Sequence, residues 1–172
     1  MRTIRQILGL TMYALLGNLV PSYGFGLLGT LARSYRALCI RLIAIESGRR
    51  LDIGRKVRFS RKLHVGTDSG IGDGAFFQGE VYIGSKVLMA PFCAFIAQNH
   101  SFADTKIPIK EQGMTEAPII IGDNVWLGYG VTVLAGVQIG SNSVIGAKSV
   151  VTKNIPEGSV AVGVPAKVVR KR

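Results

Sequence analysis

The stretch Ile121–Val151, "IGDNVWLGYGVTVLAGVQIGSNSVIGAKSVV", repeats every six residues. Ile121, Leu127, Val133, Ile139, Ile145 and Val151 open its hexads, and none of them is polar. Upstream, a second run of hexads opens on Ile53, Phe59, Val65, Ile71, Phe77, Ile83, Met89 and Phe95. Fourteen hexads in two phased blocks mark a repeat architecture. The second position is glycine in eight of them (Gly54, Gly66, Gly72, Gly84, Gly122, Gly128, Gly140 and Gly146), which suits a repeated tight turn with unusual backbone angles. The fifth position is mostly compact, as in Ala75, Val87, Cys93, Val131 and Ser149.

An apolar first residue, a polar third and a compact fifth make a strand pattern, but each strand can run only a few residues before its turn. Strands so short cannot build a sandwich. Stacked as coils of a parallel solenoid, each hydrogen-bonds to the next and buries one file of side chains. Three hexads per coil would give a triangular prism. The rhythm leaves the handedness of the coil open.

The formal net charge of +11 divides unevenly along the 172 residues. Residues 1–62 hold 12 Lys/Arg against 2 Asp/Glu, whereas residues 63–172 hold 9 against 8. No groove-reading motif or set of stacking aromatics accompanies the basic third, so nucleic acid is not the expected partner. The same third carries an uncharged run from Gln6 to Ala32, "QILGLTMYALLGNLVPSYGFGLLGTLA". Its length alone would span a bilayer, but Asn18, Pro21, Ser22, Gly24 and Gly26 break it into two short apolar helices. Arg2 and Arg5 precede it and Arg33, Arg36 and Arg41 follow, so an interfacial hairpin keeps both cationic flanks on one side. Packing of these helices on the main domain or on a partner subunit is the competing expectation. The expected organisation is a helical, apolar and basic, membrane-associated segment over residues 1–50, then a repeat domain over 51–172 ending in a basic tail. The two cysteines, Cys39 and Cys93, suggest neither a disulfide framework nor a zinc site.

The rhythm stops after "FIAQNH", Phe95–His100, and twenty residues pass, "SFADTKIPIKEQGMTEAPII", before Ile121 resumes it. A solenoid can extrude such a loop, 101–120, without disturbing its core, and insertions on one face often carry the binding surface. His100 stands at the loop's root.

The span from Ile121 to Arg170 resembles the C-terminal half of hexapeptide-repeat acyltransferases, especially sugar O-acetyltransferases of the galactoside and maltose type and those that modify polysaccharides. The resemblance extends over roughly Ile53–Arg170. It implies a left-handed parallel β-helix, a homotrimer, and active sites between neighbouring subunits. It implies acetyl-CoA as co-substrate, with no metal. The family's catalytic base matches His100, a residue type suited to taking a hydroxyl proton and returning it to a departing thiolate. An oxyanion donor is implied near Tyr129. Residues matching CoA-contacting positions are Trp126, Tyr129, Ala147, Thr152, Lys153, Lys167 and Arg170. Two departures from the family pattern are Tyr129, where small residues are usual, and Lys148, in place of a glycine. The resemblance implies an acceptor site between the loop, where Asp104, Glu111 and Glu116 are the polar candidates, and the coil around Gln78 and Glu80 of the adjacent subunit. The apolar hairpin replaces the N-terminal acceptor-binding segment of the soluble enzymes. That points to a saccharide, lipid-linked or of the envelope or exopolysaccharide, acetylated on the cytoplasmic face of the cell membrane.

A γ-type carbonic anhydrase on the same solenoid needs three histidines, and this chain has only His64 and His100. A membrane-attached trimeric scaffold without catalysis is the non-enzymatic alternative.

Overall fold

The computed structural model describes residues 2–19 and 26–172. Strands pair in parallel at a spacing of eighteen residues, as in Glu46↔His64, His64↔Tyr82, Phe76↔Ala94 and Ile120↔Gln138. Eighteen residues are three hexads, so each coil has three sides. The first face stacks Glu46–Ser47, Leu63–Val65, Val81–Ile83, Ile119–Ile121 and Gln138–Ile139. The second runs through Asp52–Ile53, Gly70–Ile71, Leu88–Met89, Trp126–Leu127, Val144–Ile145 and Ser159–Gly163, the N–H of Gly70 bridging to the carbonyl of Val87 at 2.8 Å. The third stacks Phe76–Gln78, Ala94–Ile96, Thr132–Leu134 and Val150–Val151. A hairpin of Ser159–Gly163 with Ala166–Lys171 closes the C-terminal end of the second face.

Hexad openers fill the interior. Phe77 and Phe95 lie one above the other, ring centres 4.8 Å apart and planes within 1°, and the fifth-position residues are buried beside them. Buried serines are satisfied within the coil: the Ser69 hydroxyl donates to the Gly84 carbonyl at 2.7 Å and accepts from the Val87 N–H at 3.1 Å.

The turns differ from the expectation in one respect. Positive φ falls on the fourth hexad position, not the second: Lys56, Asp68, Lys86, Phe92, Asn124, Asn142 and Lys148 lie between +54° and +61°. The second-position glycines are needed for space instead. A Cβ on Gly84 would lie 2.6 Å from the Gly122 carbonyl carbon, and one on Gly128 would lie 2.6 Å from the Ala147 nitrogen. The corner of each coil rests on the backbone of the next.

Two helices stand at the N-terminal end. Helix α1 (Arg2–Met12) continues into a π-helical turn, Tyr13–Gly17, and α2 covers Gly26–Ile43. Asn18 and Gly26 bound the break as expected; Pro21, Ser22 and Gly24 lie outside the described residues. The hairpin is fixed to the first coils by polar bonds. The Tyr13 hydroxyl donates to the Gly54 carbonyl at 2.7 Å and accepts from the Val57 N–H at 3.0 Å, and burial pushes its pKa up to about 12. Arg36, fully buried, donates to the Ile53 carbonyl at 2.6 Å, and Gln6 spans the carbonyls of Ile43 and Arg61 at 2.9 Å each. Cys39, Ile40 and Ile43 complete the seam. The opposite faces of the helices expose Ile4, Ile7, Leu8, Leu27, Leu28 and Leu31. One face thus packs on the solenoid while the other stays open. Among the described residues no helix is long and apolar enough to cross a membrane.

Candidate functional site

Across the interruption the strand step grows from eighteen residues to 38, as in Tyr82↔Ile120, Leu88↔Trp126 and Ala94↔Thr132, so the coil closes beneath the extruded loop. The loop leaves from the corner between the third and first faces. Its root is an antiparallel ladder, Gln98–His100 against Met114–Glu116, with His100 opposite Met114. His100 is exposed there, its backbone held by a strand that continues a rigid coil.

The coil beneath also holds the root. Lys62 donates to Glu116 at 2.9 Å and the Gln98 amide donates to it at 3.2 Å. The Lys62 ammonium thereby keeps the Glu116 carboxyl below the usual carboxylate range. Gln112 clasps the loop upon itself. Its oxygen accepts from the Asp104 N–H at 3.1 Å, and its amide nitrogen donates to the carbonyls of Asp104 and Ile107 at 2.7 Å each. The Asp104 carboxylate caps the Lys106 N–H at 2.8 Å, so it serves the loop's own turn; Glu111 lies exposed on a short 3-10 turn, Ile109–Glu111. Gln78 and Glu80 belong to the same corner, one coil below. The Gln78 carbonyl accepts from the Ala97 N–H at 3.0 Å, and the Glu80 carboxylate accepts from the Tyr82 hydroxyl at 2.7 Å.

The residues matched to coenzyme A contacts are divided. Thr152 and Lys153 follow Val151 at the end of the third face, on the same corner as His100, and both are exposed. Trp126 projects from the second face, 52% exposed, into a groove of about 420 Å³ that it shares with Leu88, Val144, Val160 and Arg170. Tyr129 and Ala147 occupy equivalent places in successive coils on the corner between the second and third faces, and Lys167 stands opposite Val162 in the closing hairpin. In a triangular prism the corner bearing His100 lies across the interior from the face bearing Trp126. One chain therefore sets Gln78, Glu80, His100, Thr152 and Lys153 along one corner, Gln78 and Thr152 three coils apart, and holds Trp126, Tyr129, Ala147, Lys167 and Arg170 on the far side.

Residues 118–153 match the family model described as bacterial transferase hexapeptide (six repeats). A galactoside acetyltransferase solved in complex with coenzyme A shares 31% identity and a TM-score of 0.78, covering 99% of this chain and 82% of that one. The chain belongs to the hexapeptide-repeat acyltransferases. A maltose O-acetyltransferase from Clostridium difficile 630 is 28% identical, with a TM-score of 0.80 over 99% of this chain and 87% of that one. The galactoside O-acetyltransferase of Escherichia coli (strain K12) is 46% identical over 92 residues, 53% of this chain and 44% of that protein. The chain spans about half the length of the curated relatives it matches.

Within this hexapeptide-repeat chain, the corner that carries Tyr129 holds more than the motif announces. Lys148 places its ammonium 4.7 Å from the centre of the Tyr129 ring, and Phe92 meets the same ring edge-on at 5.5 Å. Phe92 is exposed and sits at φ +61°, an uncommon conformation for a bulky residue. Sequence reasoning passed over Phe92, although an aromatic at a fourth hexad position was a readable signal. It also missed Lys62 and Gln112, whose partners in the fold no short motif discloses. Cys93 is inert as a nucleophile: it is fully buried, and burial pushes its thiol up to about 11.

Proposed function

We propose that the chain is an O-acetyltransferase that moves the acetyl group of acetyl-CoA to a saccharide hydroxyl, in a cleft between neighbouring copies of a left-handed β-helical homotrimer. The observation that carries this reading is the division of the site residues between His100's corner and the opposite face. A second copy supplies the missing half. The neutral imidazole of His100 takes the hydroxyl proton as the oxygen attacks the thioester carbonyl, a backbone N–H beside Tyr129 steadies the tetrahedral oxyanion, and the imidazolium returns its proton to the leaving thiolate. Lys153 from one copy and Lys167 and Arg170 from the next meet the phosphates of coenzyme A, and Trp126 flanks the thioester arm. Gln78, Glu80 and the loop residues Asp104 and Glu111 border the acceptor.

The relatives named for galactoside and maltose support a saccharide acceptor. The open apolar hairpin supports a peripheral place on the cytoplasmic face of the membrane through residues 1–50, where envelope or exopolysaccharide precursors are within reach. The test is acetyl-CoA-dependent release of free CoA against a panel of galactosides, maltose and lipid-linked glycans. Acceptor-dependent release is the expected result. Thermal protection by acetyl-CoA without release on any acceptor would contradict the assignment.

A further inference from the structure

Helix α2 does more than cover the end of the solenoid. Between it and the first coil runs a groove of about 510 Å³, lined by Thr30, Arg33, Ser34, Arg41, Arg50 and Asp52 among others. Three arginines, a threonine and a serine line one space. Asp52 offsets part of that charge, and Asp68 is bonded to Arg50; Arg33 donates to the Thr30 hydroxyl at 3.3 Å. The helical period sets Leu27, Leu31 and Leu38 side by side along the neighbouring stripe of α2, next to Thr30, Ser34 and Arg41. All three leucines are exposed. Ten of the 24 large exposed hydrophobic side chains among the described residues belong to the hairpin, and all ten are aliphatic. Stacking on nucleobases is therefore not what this surface offers. A cationic groove with hydroxyls, bordered by an aliphatic stripe, complements an anionic phosphate on an acyl chain.

We infer that the groove between α2 and the first coil seats the phosphate of an anionic lipid headgroup on Arg33 and Arg41, with Leu27, Leu31 and Leu38 entering the acyl layer. This inference rests on the membrane-attached reading above and adds to it the lipid chemistry and the residues that read it.

The experiment is flotation of the full chain with vesicles of phosphatidylcholine alone or with roughly a third phosphatidylglycerol, where two cations at the surface should change partition roughly tenfold or more. Wild-type protein should float with the anionic vesicles, and Arg33→Gln/Arg41→Gln should float roughly tenfold less. Ser34→Asp, which adds a carboxylate to the groove without removing an arginine, should weaken flotation as well. Lys106→Gln/Lys110→Gln, an equal loss of charge on the extruded loop, should float as wild type. Groove variants that float like wild type, or a loop variant that falls as far as they do, would overturn the inference while leaving membrane attachment standing. Equal flotation with both vesicle types would do the same. Wild-type protein that floats with neither would overturn both. Inorganic phosphate at constant ionic strength should leave flotation intact; stripping by phosphate alone would reassign the groove to a free anion.

Discussion

His100 reaches the surface on a three-residue strand whose neighbours do the holding, so its side chain can be removed without opening the core. His100→Ala should leave thermal stability and acetyl-CoA affinity nearly unchanged while turnover falls by about a hundredfold to ten-thousandfold, the range for loss of a general base. Steady-state kinetics beside a melting curve makes the check, and an undiminished rate would remove His100 from the mechanism. Lys153 and Lys167 lie on different sides of one chain, yet both are assigned to coenzyme A. Replacing the pair with Ala should weaken acetyl-CoA binding by about 1 to 3 kcal/mol, measured by calorimetry. Unchanged affinity would detach these residues from the cofactor. His100 could be singled out in the sequence because the repeat stops there. Gln112 could not be placed, since a side chain's role within a loop depends on contacts made in three dimensions.

At the scale of the element, the hexad and the loop were legible because a period of six places every apolar opener inside. The reason for the glycines was not. A sequence shows that position two must be small, but the distance to the next coil is a property of the stack. Gly84→Ala is expected to cost several kcal/mol, since the added methyl would meet the backbone of Gly122 and the side chain of Asp123 at 2.6 Å. The same change at Gly158, half-buried and at positive φ, meets nothing within 4 Å and should cost only the backbone strain, about 1 kcal/mol. Denaturant unfolding compares the two. The loop root has its own pH dependence. Lys62 holds the Glu116 carboxyl low, so the pair is fully present above the ordinary carboxylate pKa of about 4 and is lost as pH falls through the lower folded value. The protection of Met114–Glu116 against hydrogen exchange, taken relative to the intrinsic rate, should therefore fall only in acid, and Glu116→Gln should give that lower protection at neutral pH.

The whole molecule is asymmetric twice over. Its positive charge gathers in the N-terminal third, at the end where the helical hairpin leaves aliphatic side chains open, and its candidate site is cut in two by the solenoid itself. Charge asymmetry could be counted from the sequence. The division of the site could not, because it follows from three hexads closing one coil and so setting the His100 corner opposite the Trp126 face. Mixed assemblies test that division directly. His100→Ala and Trp126→Ala/Arg170→Ala proteins, each nearly inactive alone, should regain about a quarter of wild-type turnover when unfolded together and refolded in equal amounts, because random mixing in a cyclic trimer rebuilds that share of intact interfaces. Mixed trimers as inactive as their parents would contradict a site shared between chains.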